Sequence, residues 1–327
     1  MTNLLVLGGT HFVGRAVAEE GVARGWDVTV LNRGNTPAPE GVRSLLGDRT
    51  RPDGLTALAG GTWDVVVDTW TDAPRAVRDS ARLLAPSCGH YAYVSSRSVY
   101  TWPAPAGADE DTPVVDASPD AEATDYAHNK RGGELAVLDA FGDRALLLRA
   151  GLILGPREDV GRLPWWLRRI ARGGPVLAPG PRDLPLQYVD ARDLAAFALD
   201  GAASGLSGAY DTVGRSGDAT MGTLLDACVQ ATGSAAELRW TAPETLLAAG
   251  IEPWTELPVW APPGELHDAM HRSDVSRALA AGLRPRPLLH TVADTWATLD
   301  APAHTHPRAT TGLTPEKEAE ALEKAAS

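Results

Sequence analysis

Lysine is scarce in this chain, although its 327 residues include 30 lysine and arginine side chains. The lysines are Lys130, Lys317 and Lys324, and the last two lie close to the end of the sequence. Every other side chain in that basic count is arginine. Arginine carries a planar, delocalised charge, whereas lysine carries a compact charge on a flexible stem. We therefore expect that position 130 requires lysine specifically.

Cysteine, positive charge and long apolar runs are also in short supply. Cys88 and Cys228 are too few for a disulfide scaffold and fit a reducing compartment. The formal net charge of −12 argues against nucleic acid as a main partner, because phosphate binding needs a basic surface. No segment approaches the run of roughly 18 apolar residues that spans a bilayer. With strand-like residues at 4–7 and no cleavable leader before them, we expect a cytoplasmic protein without a membrane partner.

Short apolar runs alternate with longer mixed segments over the first 155 residues. The aliphatic or β-branched runs predict buried strands at 4–7, 28–31, 65–67, 91–94 and 145–148. Helical spacing of apolar residues predicts helices at 13–23, 75–84 and 126–140. This alternation predicts an α/β fold, a doubly wound parallel sheet with helices on both faces.

A glycine-rich turn joins the first predicted strand to the first predicted helix, where residues 8–14 read GGTHFVG. Glycine lets backbone amides approach a pyrophosphate, and the N-terminus of a helix favours its negative charge. His11 stands where a G-x-x-G-x-x-G pattern has its middle glycine, so its side chain either narrows the site, donates to phosphate or lies on the surface without a role. The residues predicted to contact a dinucleotide here are Gly8, Thr10, His11, Phe12, Val13 and Gly14.

The residues after the next two strands favour NADP(H) over NAD(H). An NAD site usually presents a carboxylate at the end of the second strand, whereas the 2′-phosphate of NADP needs an arginine. This chain has neutral Asn32 there, followed by Arg33, which either pairs with the phosphate or is a solvated loop residue. Asp48, in the segment between the predicted strands 28–31 and 65–67, either accepts a hydrogen bond from the adenine amino group or caps a turn. Arg49 and Thr69 complete the predicted cofactor site.

The sequence changes after residue 155. Prolines and tryptophans become more frequent, and strands and helices no longer alternate regularly. This change predicts a dinucleotide-binding domain at 1–155 and a smaller, irregular substrate-binding lobe at 156–300. Residues near 184–200 are expected to return to the first domain, with 186–189 joining its sheet before a helix that begins at Asp193. Residues 301–327 are predicted to be a linker and a short helix that starts with Thr314 and Pro315. Residues 102–122 are predicted to form a loop.

Tyr126 and Lys130 have a Tyr-x-x-x-Lys spacing, which places both side chains on one helix face about a turn apart. Residues 95–100 read SSRSVY directly after the predicted strand 91–94. Further motifs follow in order: RAGLILGP at 149–156, YVDARDL at 188–194, and Ser273 and Asp274 before LRP at 283–285. Together with the glycine turn, they resemble the extended short-chain dehydrogenase/reductase family over most of the chain. The sequence looks most like the epimerase/dehydratase-like members, in the branch called 2′-hydroxyisoflavone-reductase-like.

This resemblance implies a Rossmann-type sheet and roles for three side chains. Tyr126 would be the general acid/base, Lys130 its electrostatic tuner and Ser96 the hydroxyl that orients a carbonyl, with Ser95 and Ser98 as alternatives for that hydroxyl. A free tyrosine has a pKa of about 10, and a nearby ammonium lowers it. A serine hydroxyl stabilises the alkoxide-like charge that develops as hydride moves. Tyr126 and Lys130 would also contact the cofactor.

The expected function is an NADP(H)-dependent oxidoreductase acting on a carbonyl or alcohol of a small organic molecule. One alternative is a sugar-nucleotide epimerase with tightly bound NAD, and another is a non-catalytic NADP-binding or regulatory protein. Two features argue against sugar nucleotides. Arg97 and Ser98 stand where the 4,6-dehydratases carry an acidic pair, and residues 186–188 read LQY without the arginine that often clamps a diphosphate.

Substrate contacts are expected from Trp70, Arg97, Trp165 and Gln187, and no metal site is expected. Arg97 would meet either an anionic group of the substrate or the acidic loop 109–111. The tryptophans at 70, 102, 165, 166, 254 and 260 are candidates for an apolar pocket or for core packing. An apolar face on the predicted helix 126–140 permits a homodimer.

Overall fold

A computed structural model describes residues 1–299 and 311–326. The strands are β1 (Asn3–Leu7), β2 (Asp27–Asn32), β3 (Arg43–Leu46), β4 (Trp63–Asp68), β5 (Cys88–Ser96), β6 (Ala145–Ala150), β7 (Ile153–Leu154), β8 (Gly174–Pro179), β9 (Pro185–Leu186), β10 (Val189–Asp190), β11 (Gly208–Thr212), β12 (Ala219–Thr220), β13 (Ala236–Thr241), β14 (Pro253–Trp254) and β15 (Leu257–Pro258). The helices are α1 (Phe12–Ala23), α2 (Pro74–Leu84), α3 (Tyr126–Phe141), α4 (Arg162–Ala171), α5 (Ala191–Ala203), α6 (Met221–Thr232), α7 (Pro243–Ala248), α8 (Glu265–His271), α9 (Ser276–Ala280), α10 (Leu288–Ala297) and α11 (Pro315–Ala326). Over these residues, no helix has both the length and the apolar character that a membrane crossing requires.

Seven parallel strands form the central sheet, in the order β11-β6-β5-β4-β1-β2-β3. Successive side chains of a strand point to opposite faces, so β1 contributes to two cores. Leu4 and Val6 pack with α1 and α5 on one face, and Leu5 and Leu7 pack with α2 and α3 on the other. Burial on both faces explains why the strands are nearly continuous apolar runs. The predicted Rossmann-type, doubly wound parallel sheet is confirmed.

One predicted strand does not join this sheet. In residues 186–189, Leu186 belongs to β9, which pairs with β12, and Val189 belongs to β10, which pairs with β7. The seventh strand is β11, whose edge position beside β6 leaves its first three residues exposed or only partly buried, so its sequence shows no apolar run. The helix expected from Asp193 begins at Ala191, because the Asp190 carboxylate caps it by accepting from the Arg192 amide at 2.9 Å.

A separate apolar core is formed mainly by residues 152–299, with Leu313 and Ala321 added from the C-terminal segment, where α4, α6 and α10 pack together beside the paired strands β8 and β13. Trp166 and Trp260 are fully buried in it. The indole of Trp166 donates to the Pro258 carbonyl at 2.7 Å, and that of Trp260 donates to the Gly180 carbonyl at 3.1 Å. These two tryptophans therefore serve core packing rather than a ligand pocket.

The C-terminal residues 311–326 fasten onto this second core. The Thr311 hydroxyl donates to the Val160 carbonyl at 3.2 Å, and the Gly312 amide donates to the Thr255 carbonyl at 2.8 Å. The predicted C-terminal helix is present as α11, whereas the linker predicted at 301–308 lies outside the described residues. On α11, buried Glu318 pairs with Arg169 and accepts the Leu177 amide at 3.1 Å. The segment 311–326 is thus tied to α4, to β8 and to the loop before α4.

Glu318→Gln should lower the free energy of unfolding by about 3 kcal/mol, because removing one charge of a buried ion pair leaves the other uncompensated. Chemical denaturation followed by tryptophan fluorescence would measure this. The matched control is Glu320→Gln on the exposed side of the same helix, for which we expect a change within about 0.5 kcal/mol. Equal stability of the two variants would show that the pair with Arg169 does not hold α11.

Candidate active site

The turn between β1 and α1 requires glycine at several positions. Gly8 and Gly9 have φ angles of +122° and +82°, which other residues rarely adopt. A Cβ on Gly14 would lie 2.6 Å from the backbone nitrogen of Gly9, so α1 can approach the turn only with glycine there. His11 precedes α1 but makes no side-chain capping bond to it. The turn therefore fits a pyrophosphate, since backbone amides at a helix start bind such groups.

A cavity of about 400 Å³ lies beside this turn, bordered also by the loops that follow β2, β3 and β4. The amide group of Asn32 donates to the Ser44 hydroxyl at 2.8 Å, and its oxygen accepts the Gly34 amide at 2.6 Å. Asn32 thus fixes the loop that carries Arg33, whose exposed side chain borders the cavity. His11 is joined to the same loop through Thr36, with 3.1 Å between the imidazole Nε2 and the hydroxyl.

Asp48 and Arg49 also border this cavity, but their side chains have protein partners. The Asp48 carboxylate accepts from the hydroxyl of Thr50 at 2.6 Å and from its amide at 3.1 Å, and these bonds lower the pKa of Asp48. Arg49 donates to both oxygens of buried Asp68, at 2.6 and 2.8 Å. Arg49 thus supports the cavity wall through Asp68, and its contact with the cofactor stays a prediction. Asp48 caps a turn, and its contact with the adenine amino group likewise stays a prediction.

A second cavity, of about 870 Å³, adjoins the first, and His11 and Thr69 border both. It brings together the three side chains predicted to be catalytic. Tyr126 is the first residue of α3 and is 49% exposed, whereas Lys130, one turn later, is 1% exposed. Ser96 ends β5 and is 8% exposed. A tyrosine, a lysine and a serine therefore border one space next to the glycine turn.

Lys130 is held by backbone carbonyls at the ends of two strands. Its ammonium donates to the carbonyl of Trp70 at 2.5 Å and to that of Val94 at 2.6 Å, and it lies 4.9 Å from the ring centroid of Tyr93. Burial lowers the pKa of Lys130 from 10.5 to about 7, against the opposing charge of Asp68. The amine therefore has a fixed place and a charge that changes close to neutral pH.

The three candidate serines differ in their surroundings. The Ser95 hydroxyl donates to buried Glu134 at 2.7 Å. The Ser96 hydroxyl donates to that of Ser98 at 3.1 Å and accepts the Ser98 amide at 3.1 Å, which caps the short 3₁₀ turn Arg97–Val99. Because Ser95 is committed to Glu134, the geometry favours Ser96 over Ser95 as the hydroxyl for a substrate carbonyl.

Two of the residues expected to bind substrate lie away from the larger cavity. Trp70 borders the smaller cavity instead, where its ring lies 5.0 Å from the Arg49 guanidinium. Trp165 packs edge-on against Trp166, with ring centroids 4.7 Å apart, and it lies against Gly312 of the C-terminal segment. The expectation for Trp165 is therefore corrected, since its ring is used to attach residues 311–313.

Gln187 is also not a substrate residue, because it is fully buried and its amide group is saturated. It donates to the carbonyls of Gly214 at 2.9 Å and Ser273 at 3.1 Å, and accepts the Ser273 amide at 2.8 Å. Arg97 does border the larger cavity, but its guanidinium pairs with Asp211, 3.4 Å from Nε. Asp211 is thus the ionic partner of Arg97 in place of the loop 109–111, and a contact of Arg97 with the substrate stays a prediction.

Two charged residues that no sequence motif marked also border the larger cavity, one on the loop before α4 and one at the first position of α4. Asp159 is buried and borders both cavities, and Arg162 lies over the ring of Trp254 at 5.4 Å. Neither charged residue stands in a recognisable motif, so no signal in the sequence marked them. Trp102 and Trp254 also border the larger cavity, as two of the six tryptophans considered for an apolar pocket.

Residues 4–204 match the model of the NAD dependent epimerase/dehydratase family. The chain belongs to this family of extended short-chain dehydrogenases/reductases, which depends on a nicotinamide cofactor. The resemblance drawn from the sequence motifs is confirmed at that level, and the isoflavone-reductase-like branch stays a prediction.

Among curated proteins, the chain is similar to 2′-dehydrokanamycin reductase of Streptomyces kanamyceticus, with 35% identity over 185 residues. The match covers 53% of this chain and 50% of the relative, so the chain spans about half the length of that relative.

Two solved structures show the same fold. UDP-glucose 4-epimerase of Thermus thermophilus, in complex with NAD, has a TM-score of 0.62 and 23% identity, covering 92% of this chain and 99% of the other. WbmG of Bordetella bronchiseptica, in complex with NAD and UDP, has a TM-score of 0.65 and 18% identity, covering 96% of this chain and 99% of the other. At this level of identity, both likenesses support the fold alone.

Proposed function

We propose that this chain is an NADP(H)-dependent oxidoreductase that moves a hydride to or from a carbonyl or alcohol carbon of a small organic molecule. The observation that carries the proposal is the placing of Tyr126, Lys130 and Ser96 around one cavity that adjoins the glycine turn. A nicotinamide bound between the two cavities would supply the hydride chemistry. The protein's own residues would supply the proton, the orientation and the electrostatic support.

The proton belongs to Tyr126. In reduction, its phenol donates to the substrate oxygen as negative charge develops there, and in oxidation the phenolate takes the proton back. Ser96 donates a hydrogen bond to the same oxygen and stabilises that charge. Lys130, fixed by the carbonyls of Trp70 and Val94, favours the phenolate when its amine is protonated.

The loop after β2 supports NADP(H) as the cofactor. Asn32 places no carboxylate beside the expected ribose, and exposed Arg33 borders the cavity. A planar guanidinium binds a phosphate through two charge-assisted hydrogen bonds. The positive charge of Arg33 is one of the causes that lower the pKa of Asp48. The Arg33 guanidinium is therefore on the same side of the cavity as Asp48.

Arg33→Asp should raise the KM for NADPH about 10- to 100-fold, because a charge-assisted contact is lost and a repulsive charge replaces it. The KM for NADH should change less than about threefold, since NADH has no 2′-phosphate. Steady-state kinetics with both cofactors would measure this. Arg51→Asp, which makes the same charge change in an exposed side chain outside the cavity, is the matched control. An equal rise in KM for both cofactors would overturn the assignment of Arg33.

The reaction itself is tested by following NADPH consumption with ketones, aldehydes, imines and UDP- or TDP-sugars, after the cofactor affinity has been titrated by fluorescence. The compound 2′-dehydrokanamycin belongs in this screen, because the Streptomyces relative is by name its reductase. Turnover of a carbonyl compound with stoichiometric NADPH oxidation would support the proposal. A protein that binds NADPH but turns over no member of the screen would support a non-catalytic role instead.

A sugar-nucleotide epimerase is the second candidate, and the match to the NAD dependent epimerase/dehydratase family favours it. Such an enzyme recycles its cofactor, so NAD should co-purify with the protein and UDP-sugars should interconvert without added NADPH. The sequence of Arg97 and Ser98 after the catalytic hydroxyl supports the oxidoreductase over the dehydratase chemistry of the same family. Analysis of the nucleotide released from the purified protein by heat separates the two candidates.

A further inference from the structure

A series of buried hydrogen bonds and ion pairs begins one residue before Ser96. The hydroxyl of Ser95 donates to Glu134, which is fully buried on α3. Glu134 in turn accepts from Arg149 of β6, at 2.9 Å from Nε and 3.1 Å from the second guanidinium nitrogen. The first half of the network therefore links β5, α3 and β6 beneath the larger cavity.

The second half of the network returns to the residue after Ser96. Arg149 donates to the Tyr100 hydroxyl at 3.3 Å, and that hydroxyl donates to Asp211 of β11 at 2.6 Å. The other carboxylate oxygen of Asp211 lies 3.4 Å from Nε of Arg97. Because the network begins one residue before Ser96 and ends one residue after it, it closes around the backbone of this serine.

Arg97 extends the same network to the substrate side of the cavity. Its guanidinium donates to the carbonyl of Ala269 at 3.0 Å and to that of Met270 at 3.3 Å, both on α8. These two residues and Arg97 all border the larger cavity. One side chain thus ties the strand end that carries Ser96 to a helix of the cavity wall.

The charges around Asp211 are balanced in a small buried space. Asp211 is fully buried, and Arg97, Tyr100 and Arg149 face it. Glu110 accepts the Asp211 backbone amide at 2.8 Å, and the charge of Arg277 lies 3.4 Å from that glutamate. Burial raises the pKa of Asp211 to about 6, against the opposing charge of Arg97.

We propose that Asp211 is a positioning residue for the reaction: through Arg97, which is also anchored to α8, it holds Ser96 in the arrangement that receives the substrate carbonyl. The inference rests on the proposed function, in which Ser96 donates to that carbonyl. Asp211 itself does not border the cavity and acts only through its neighbours. Without its carboxylate, Arg97 is a buried and uncompensated charge, which moves toward water and takes the adjoining serine with it.

Asp211→Asn should lower kcat about 10- to 100-fold, because a displacement of about 1 Å at a reacting group costs on that order. The KM for NADPH should change less than about twofold, since the glycine turn is untouched. The fall in kcat of the native enzyme below about pH 6 should be absent in the variant. As pH falls through the pKa of Asp211, its carboxylate is neutralised and Arg97 loses its partner, so activity is lost on the acid side.

The decisive measurement is a double-mutant cycle with Ser96→Ala. If Asp211 acts through Ser96, Asp211→Asn should change kcat less than about twofold once the serine hydroxyl is gone. If Asp211→Asn does not fold, Tyr100→Phe can be measured in its place, because it is a milder change that removes the hydroxyl joining Arg149 to Asp211. Its effect on kcat should likewise be lost when the Ser96 hydroxyl is absent. Asp193→Asn, which breaks the ion pair with Arg286 outside both cavities, should lower the melting temperature without changing kcat, which separates positioning from general stability.

Equal losses of kcat with and without the Ser96 hydroxyl, in a native enzyme that turns over substrate, would overturn the positioning role alone. Absence of NADPH-dependent turnover in the native enzyme would overturn the proposed function, and this role with it. Loss of kcat confined to the background that carries Ser96, together with loss of the acid limb, is the result that the structure leads us to expect.

Discussion

Replacing Tyr126 with phenylalanine is expected to lower kcat about 1,000-fold while the Kd for NADPH stays within about twofold. The ring remains, so the contact surface is kept, but the proton donor is gone. Tyr126 is half exposed at the first position of α3, and the helix start is capped by Asp125, which accepts the His128 amide at 3.1 Å. The loss should therefore reflect chemistry rather than folding.

Absorbance of NADPH would measure the turnover of Tyr126→Phe, and fluorescence titration its cofactor affinity. Tyr210→Phe is the matched control, because this partly buried tyrosine of β11 packs against Phe197 and does not border the larger cavity. Its kcat should equal that of the native enzyme. If Tyr126→Phe kept its turnover, a different residue would have to supply the proton, and the proposed mechanism would be wrong.

Lys130→Arg should lower kcat about 100-fold or more, although it keeps a positive charge. The amine of Lys130 occupies a space 1% exposed, between two backbone carbonyls at 2.5 and 2.6 Å. The larger planar guanidinium cannot enter that space without displacing the ends of β4 and β5, where Trp70 and Val94 lie. Substantial turnover in this variant would show that position 130 does not require lysine, and the scarcity of lysine in the chain would then be only a compositional preference.

The free energy of unfolding should also depend on pH because the Lys130 amine is buried. Because the pKa of Lys130 is lower in the folded state than in the unfolded state, the unfolded chain binds more protons between about pH 7 and pH 10.5. The free energy of unfolding should therefore rise with pH in this window, by at most about 1.4 kcal/mol per pH unit. Lys130→Met lacks the group, so this contribution should be missing from it. Parallel pH series of chemical denaturation for the two proteins would measure the difference, and parallel curves would contradict the lowered pKa.

The central sheet could be predicted because strands that are buried on both faces consist of consecutive apolar residues. β1 and β4 are examples, with helices packed over each face. The edge strand β11 has no such run, since its first three residues are exposed or only partly buried, and periodicity cannot distinguish it from a loop. Local pattern therefore predicts the centre of a parallel sheet better than its edge.

Site residues could be predicted where the chemistry restricts the residue type within a short segment. The glycine turn and the spacing of Tyr126 and Lys130 are of this kind. The partners of Arg97 and Gln187 could not be predicted, because they lie far away in sequence, at Asp211 and Ser273. A sequence alone does not distinguish a polar side chain that forms hydrogen bonds with distant backbone groups from one that binds a ligand.

The fastening of residues 311–326 has a consequence for how such a protein can diverge. The match to the family covers residues 4–204, and it includes the glycine turn and the tyrosine, lysine and serine of the site. The loop that brings Asp159 to the cavity, directly before Arg162 at the start of α4, is held from outside that region through the bond of Thr311 to Val160. Substitutions in the C-terminal segment can therefore change the cavity wall without changing the glycine turn or the side chains of Tyr126, Lys130 and Ser96.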